Sequence, residues 1–337
     1  MKNRLRSLLS ALLVLVLLSS CAVSAQAADT VKVDVSASFM YKEARNMLDL
    51  VNSFRTGKDA YYLSKDNKTK VKVSGLKKLS YDYNLEKIAM LRALEIAVYF
   101  SHTRPNGKKW SSAHSGSYTR GENLAYGCGS AKAALNAFRE DNANYSGQGH
   151  RRMMLDSKFT RVGFGCVKVG GTVYWAQEFS SGKAGGSASQ SSPSKTVDAT
   201  WKTLSAAKTK IGASVKSLTV TVGGSAALPK VILTSKSGAK NSLHDAKWSS
   251  SNSKTAAVKG SKITGVKKGK ANLTINVNGT ALKVEIQVSP ASNTTGSATE
   301  ILEDYGTPLG LEDTEFFYLD EEDLAFEDES DTPQAEE

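Results

Sequence analysis

The sequence predicts an α/β sandwich followed by an all-β sandwich, and three observations carry that expectation. Between residues 39 and 179, stretches with helical apolar spacing alternate with a few short strands. From Ser217 to Pro290 apolar and polar residues alternate with period two, and a stretch rich in Ser, Gly and Ala separates the two regimes. At 337 residues with 40% apolar content, the chain is long enough for two domains, each with its own core.

Lys2, Arg4 and Arg6 precede an apolar run from Leu8 to Leu18 and then small residues, the layout of a secretory signal over residues 1–28. The run is too short to span a bilayer. Two processing sites compete: Ala25-Gln26-Ala27 reads as ordinary cleavage, and Leu18-Ser19-Ser20-Cys21 resembles a bacterial lipobox that would leave Cys21 lipidated. Either places the protein outside the cytoplasm, secreted or at the cell surface, in the second case as a lipoprotein. Export leaves Cys128 and Cys166, which an oxidising compartment favours pairing as a disulfide if the fold brings them together; two buried free thiols are the alternative.

Met40, Ala44, Met47, Leu48, Val51 and Phe54 recur at three- and four-residue spacing and predict a helix that Gly57 ends. Residues 58–78 are polar and Lys-rich, an excursion between helices. A second helix from Leu85 to Phe100 leaves His102 just beyond its end, and Pro105-Asn106-Gly107 turns the chain. A third helix is predicted over Ala131–Asp141, and a hairpin joins Val162–Val169 to Thr172–Phe179 across Gly170-Gly171. Residues 180–199 read as a linker. Beyond it, Asn278-Gly279 between two alternating runs is the strongest hairpin signal, because both residues tolerate the positive φ of a type I′ turn.

Four islands hold the candidate chemistry: SHTRPNG (Ser101–Gly107), GENLAYG (Gly121–Gly127), GQGHRRMML (Gly147–Leu155) and YWAQEF (Tyr174–Phe179). Two imidazoles with carboxylates can bind Zn²⁺ with an open position for water, or act as general acid and base. The same residues also fit a structural polar cluster, with His102 at helix-terminal carbonyls, Glu122 holding backbone amides and His150 bonded to Glu122. Arg151 and Arg152 would hold the site's carboxylates, attract anions or lie in solvent. His114 and His244 have no supporting context and are expected at the surface. There is no G-x-S-x-G, no HExxH and no class A β-lactamase S-x-x-K set with its partners, and Ser101 or Ser146 beside a histidine in sequence is not a nucleophile geometry.

In this order the four islands resemble the CAP superfamily, the cysteine-rich secretory, antigen 5 and pathogenesis-related-1 proteins, in its bacterial form, over Phe39–Phe179. The resemblance implies a three-layer α-β-α sandwich and a cleft tetrad of two histidines and two acidic groups. His102, Glu122 and His150 match three members; the fourth falls three residues after Phe138, on Asp141, one methylene shorter than the Glu of eukaryotic relatives. Glu140 would point about 100° away on a helix. The implied function is non-enzymatic binding of a lipid, peptide or envelope ligand, with a divalent metal such as zinc on His102 and His150 as a further implication. A metal-dependent hydrolase or peptidase acting on wall or extracellular substrates is the alternative. Trp248-Ser249-Ser250-Ser251-Asn252, Ala257-Val258 and Ile263-Thr264-Gly265-Val266-Lys267-Lys268-Gly269 resemble the bacterial Ig-like group 2 domain, an adhesion or spacer module. The expected division is signal 1–28, CAP domain 29–179, linker 180–199, Ig-like domain 200–290 and acidic tail 291–337.

The formal charge of +11 hides an asymmetry. Residues 300–337 hold sixteen acidic side chains and no Lys or Arg, so residues 1–299 carry a net +27. Such a body is drawn to polyanions, and outside the cell these are anionic headgroups, wall polymers or glycans, with peripheral or lipid-anchored membrane association. The lysines are scattered without interleaved aromatics, so no nucleic acid partner is expected. The tail shows no LPxTG-like sorting motif, and its charge suits it either to remain solvated or to lie against the basic body.

Overall fold

The computed structural model describes residues 29–188 and 193–291. The signal segment, Cys21 and the acidic tail from residue 292 lie outside the described residues.

After a first strand, β1 (Thr30–Asp34), the first unit contains β2 (Ala37–Phe39), α1 (Tyr41–Thr56), β3 (Tyr61–Leu63), β4 (Lys70–Lys72), β5 (Ser80–Tyr81), α2 (Tyr83–Glu95), β6 (Arg120–Tyr126), α3 (Ala131–Arg139), α4 (Gly149–Leu155), β7 (Arg161–Val169) and β8 (Thr172–Ser180). Its sheet runs β2-β7-β8-β6 with β5 beside β7, and helices cover both faces. Asp82 caps α2 by accepting from the amides of Asn84 and Leu85, and Ser130 caps α3 through the Ala133 amide. On one face α2 lies directly on β7. A Cβ at Gly163 would sit 2.2 Å from the Leu85 carbonyl carbon, and one at Gly165 would sit 2.0 Å from the Ala89 oxygen, so only glycine admits the helix there. On the other face lie α1, α3 and α4, where a Cβ at Gly121 would meet Met153 Sδ at 2.2 Å.

The second unit is β-rich: β9 (Thr196–Thr200), α5 (Trp201–Ala206), β10 (Lys210–Ala213), β11 (Ser217–Thr221), β12 (Ser225–Ala227), β13 (Val231–Thr234), β14 (Lys240–Leu243), β15 (Ser249–Ser250), β16 (Ala256–Lys259), β17 (Lys262–Gly265), β18 (Gly269–Val277) and β19 (Thr280–Ser289). Three sheets form it, ordered β10-β13-β14-β1-β9, β11-β19-β18-β15 and β12-β17-β16. The β18–β19 hairpin turns at Asn278 (φ 47°) and Gly279 (φ 82°), as the Asn-Gly pair predicts.

The expected domain division needs a correction at both edges. Strand β1, expected in the first unit, lies between β9 and β14 in the second unit's sheet, with Thr30 opposite Thr200 and Val33 opposite both Val197 and Leu243. The end of the expected linker is β9 itself. Its Ser- and Gly-rich neighbourhood masked a five-residue strand whose Val197 and Ala199 are buried beside the equally buried Val33. The units also touch: the Thr200 amide donates to the Pro105 carbonyl at 2.9 Å, Asn241 Nδ2 donates to the Ala97 carbonyl at 3.3 Å, and the Tyr174 and Ser237 hydroxyls lie 2.6 Å apart.

Candidate functional site

Helix α2 ends at Glu95, earlier than its apolar pattern predicts, and the following loop carries His102 back over the sheet. His102 Nδ1 lies 2.6 Å from Glu122 Oε1. An ionised carboxylate only accepts, so Nδ1 carries the proton in this contact. His102 Nε2 is buried with no hydrogen-bond partner. Arg92, fully buried, donates through Nε to Glu122 Oε2 at 2.6 Å, through Nη1 to Glu95 Oε2 at 2.6 Å and through Nη2 to the Ser101 carbonyl at 2.8 Å. Arg104 closes the other side of Glu95, with Nη2 2.7 Å from Oε1. Burial pushes the Glu122 carboxyl up, but Arg92 and His102 outweigh it and hold it at about 2.

Glu178 and His114, outside the tetrad that the resemblance implies, join this cluster. Glu178 stands directly opposite Glu122 in the β6–β8 ladder, fully buried. Its Oε2 is 2.9 Å from His114 Nε2, and the His114 ring meets Trp110 edge-on at 5.5 Å. His114 is therefore an inward-facing residue with a 3% exposed side chain, contrary to the surface position expected of it. Burial raises the Glu178 carboxyl well above the ordinary range, and the neighbouring Glu122 charge adds to it. Burial and then Arg120 push the His114 imidazole down to about 4. The pleat was the available signal: Glu178 follows Gln177 in a predicted strand, so the two must face opposite ways.

His150 belongs to a different neighbourhood. Its Nδ1 lies 2.5 Å from Glu140 Oε1, and its ring packs edge-on against Phe138 at 5.4 Å. The acidic partner is thus Glu140 and not Asp141, which corrects the helical-angle argument. Helix α3 stops at Arg139, and Glu140 takes the left-handed conformation (φ 50°), turning its side chain inward. Asp141 is 42% exposed at the side chain and pairs with Arg151 Nη1 at 2.7 Å. Arg151 itself is buried and structural, donating to the carbonyls of Tyr61, Arg139 and Asp59. Arg152 is half-buried, donates to the Tyr145 carbonyl and lies over the Tyr145 ring.

The His102–Glu122 and His150–Glu140 pairs are anchored to opposite faces of β6. Glu122 shares a row with Glu178 and Gly163, facing α2, whereas Asn123 shares one with Gln177 and Phe164, facing α4. Asn123 Nδ2 donates to Gln177 Oε1 at 2.9 Å and to the His150 carbonyl at 3.2 Å. His102 is thus paired with Glu122 and His150 with Glu140, while Asp141 turns to Arg151. Among the described residues no group of three or more His, Cys, Asp or Glu side chains is arranged to hold a metal ion.

The expected disulfide is absent: Cys128 and Cys166 are free and buried. Cys166 faces Trp175, and Trp175 in turn faces Ala125, so two inter-strand spacings of about 5 Å each lie between the Cys166 strand and the one that leads to Cys128. That exceeds disulfide reach. The Trp175 indole fills the gap, donating to the Cys128 carbonyl at 2.7 Å. His244 is half exposed, with Nδ1 2.7 Å from Asp34 Oδ1.

An α-β-α sandwich with a buried His–Glu pair on each face of its edge strand defines the first unit. Residues 48–179 match the model of the cysteine-rich secretory protein family, CAP, and this segment is a CAP domain. No curated protein matches the chain. Among solved structures, the chain is similar to an outer surface protein from Borrelia burgdorferi, at 16% identity over 44% of this chain and 99% of that one, with a TM-score of 0.32. It is also similar to domains 4 and 5 of the S-layer protein SbsC (21% identity, 38% and 66% covered, TM-score 0.20). NaASP2, solved with Zn²⁺, matches at 20% identity over 42% and 80%, with a TM-score of 0.30. No helix among the described residues is long and apolar enough to cross a membrane.

Proposed function

We propose that the chain is an exported CAP-domain protein, secreted or held at the cell surface, that binds its ligand without turning it over. The β-rich unit serves as an Ig-like spacer or adhesion module of the group 2 type. The observation that carries the non-enzymatic reading is the state of Glu122: both its oxygens are engaged by Arg92 and His102, and a carboxyl held at about 2 is a poor general base at neutral pH.

The ligand surface lies where the SHTRPNG turn meets the second unit. An open cavity of about 600 Å³ there is lined by Val31, Lys32, Lys108, Asp198, Leu243 and Asp245, among others. Lysines and aspartates around two apolar side chains suit a peptide carrying both signs of charge better than an acyl chain. Titration of the full chain with wall-derived peptides tests this. Binding that weakens at least tenfold in Lys108→Glu and persists in His102→Ala is the expected result. Hydrolysis of those peptides that requires added metal and is lost in both His102→Ala and His150→Ala would establish the hydrolase alternative instead.

A further inference from the structure

Residues 246–284 contain eight lysines and no acidic residue. All eight are exposed, and four of them, Lys254, Lys267, Lys268 and Lys270, are gathered at one end of the second unit. The Thr255 carbonyl accepts from the amides of Val266 (2.8 Å) and Lys267 (3.2 Å), which brings Lys254 beside the loop of residues 266–268. None of the four lysines has an ion-pair partner among the described residues, and Val266, 46% exposed, stands among them. Unscreened like charges around an exposed apolar side chain are a cost to the folded unit unless a counter-charge covers them.

The chain itself carries one, and it leaves the fold at this corner. Both ends of the 266–268 loop are tied to the end of β19: Gly269 is opposite Val288, and Gly265 bridges Val222, whose amide donates to the Ser289 carbonyl at 2.9 Å. The described chain ends two residues later, at Ala291. The first acidic residue of the tail, Glu300, is nine residues on, within a reach on the order of 30 Å. Its sixteen acidic residues are interspersed with Phe316-Phe317-Tyr318-Leu319 and Leu324-Ala325-Phe326, apolar partners of the kind Val266 lacks. Tethering at so short a distance gives an effective concentration on the order of millimolar.

We propose that residues 300–337 dock on the Lys254, Lys267, Lys268 and Lys270 corner of the same molecule, occupying a site that would otherwise take an external polyanion. Carbodiimide cross-linking of the full chain at low salt, in a mixture of isotopically light and heavy copies, tests the contact. The expected product joins Lys254, Lys267 or Lys268 to tail carboxylates within one copy, and its yield falls in about 0.5 M salt, where the screening length is a few ångströms. Inorganic polyphosphate is the second probe: the variant with Asp320→Asn, Glu321→Gln, Glu322→Gln and Asp323→Asn should bind it at least threefold more tightly than the parent, and adding Lys267→Ser and Lys268→Ser should abolish that gain. Cross-links spread over lysines in proportion to exposure, links mainly between copies, or polyphosphate affinity indifferent to the tail substitutions would each overturn the proposal.

Discussion

Glu122 and Glu178 face each other across β6 and β8, both buried, and of the two only Glu122 has an arginine on its carboxylate. Adjacent carboxyls in a buried site do not both ionise; Arg92 selects Glu122 for the charge and leaves Glu178 to hold a proton. The sheet thus keeps a neutral acid beside an ionised one.

The raised Glu178 carboxyl means that the folded state holds a proton the unfolded chain releases near pH 4.5. Its contribution to stability is fully present below that pH and is lost as the pH rises toward the folded value. Glu178→Gln, which fixes the neutral form, should therefore gain stability relative to the parent as pH rises, read as urea midpoints at pH 4.5 and 8. A constant difference between the two proteins would show that Glu178 titrates normally.

His114 acts in the opposite direction. Its imidazole, pushed down from 6.5 to about 4, leaves the folded state with fewer protons than the unfolded chain between those values, so stability is lost as pH falls through that window. In His114→Gln the drop in melting temperature from pH 7 to 4.5 should be smaller than in the parent.

Exchange of the acidic residues after α3 separates the two candidates for the His150 partner. Glu140→Gln leaves a buried imidazole with a weakened partner and should cost about 1–3 kcal/mol. Asp141→Asn removes an ion pair with one exposed member and should cost less than about 1 kcal/mol. Chemical denaturation of both variants measures the contrast; equal costs would return Asp141 to the site.

Both thiols should resist alkylation in the folded protein. Burial raises Cys128 to about 11 and Cys166 higher still, so the thiolate is scarce as well as covered. Mass spectrometry after iodoacetamide should find neither modified before denaturation and both modified after it.

Val33→Ala should cost about 2 kcal/mol although Val33 lies far in sequence from the sheet it completes. The loss should appear in the unfolding of the second unit, followed through the fluorescence of Trp201 and Trp248, because Val33 is fully buried against Val197 and Leu243.

Much of this architecture was legible where local chemistry decides it. The apolar spacing from Met40 to Phe54, the Gly170-Gly171 and Asn278-Gly279 turns and the four islands each carry their instruction in neighbouring residues. What escaped was set by long-range pairing. Thr30–Asp34 reads as a strand of either unit, and only its ladder with β9 and β14 decides between them. Glu140 escapes a helical-angle argument because it lies one residue past the helix end, in the left-handed conformation. His114 and Glu178 are 64 residues apart and meet only after the sheet has formed.

The placement of β1 also sets an order of events. The first strand among the described residues takes its position between segments made some 160 and 210 residues later. Until those arrive, Val33 has no partner strand on either side. Residues through Leu243 must be present before β1 has both neighbours, so folding is expected to be slow and governed by distant contacts.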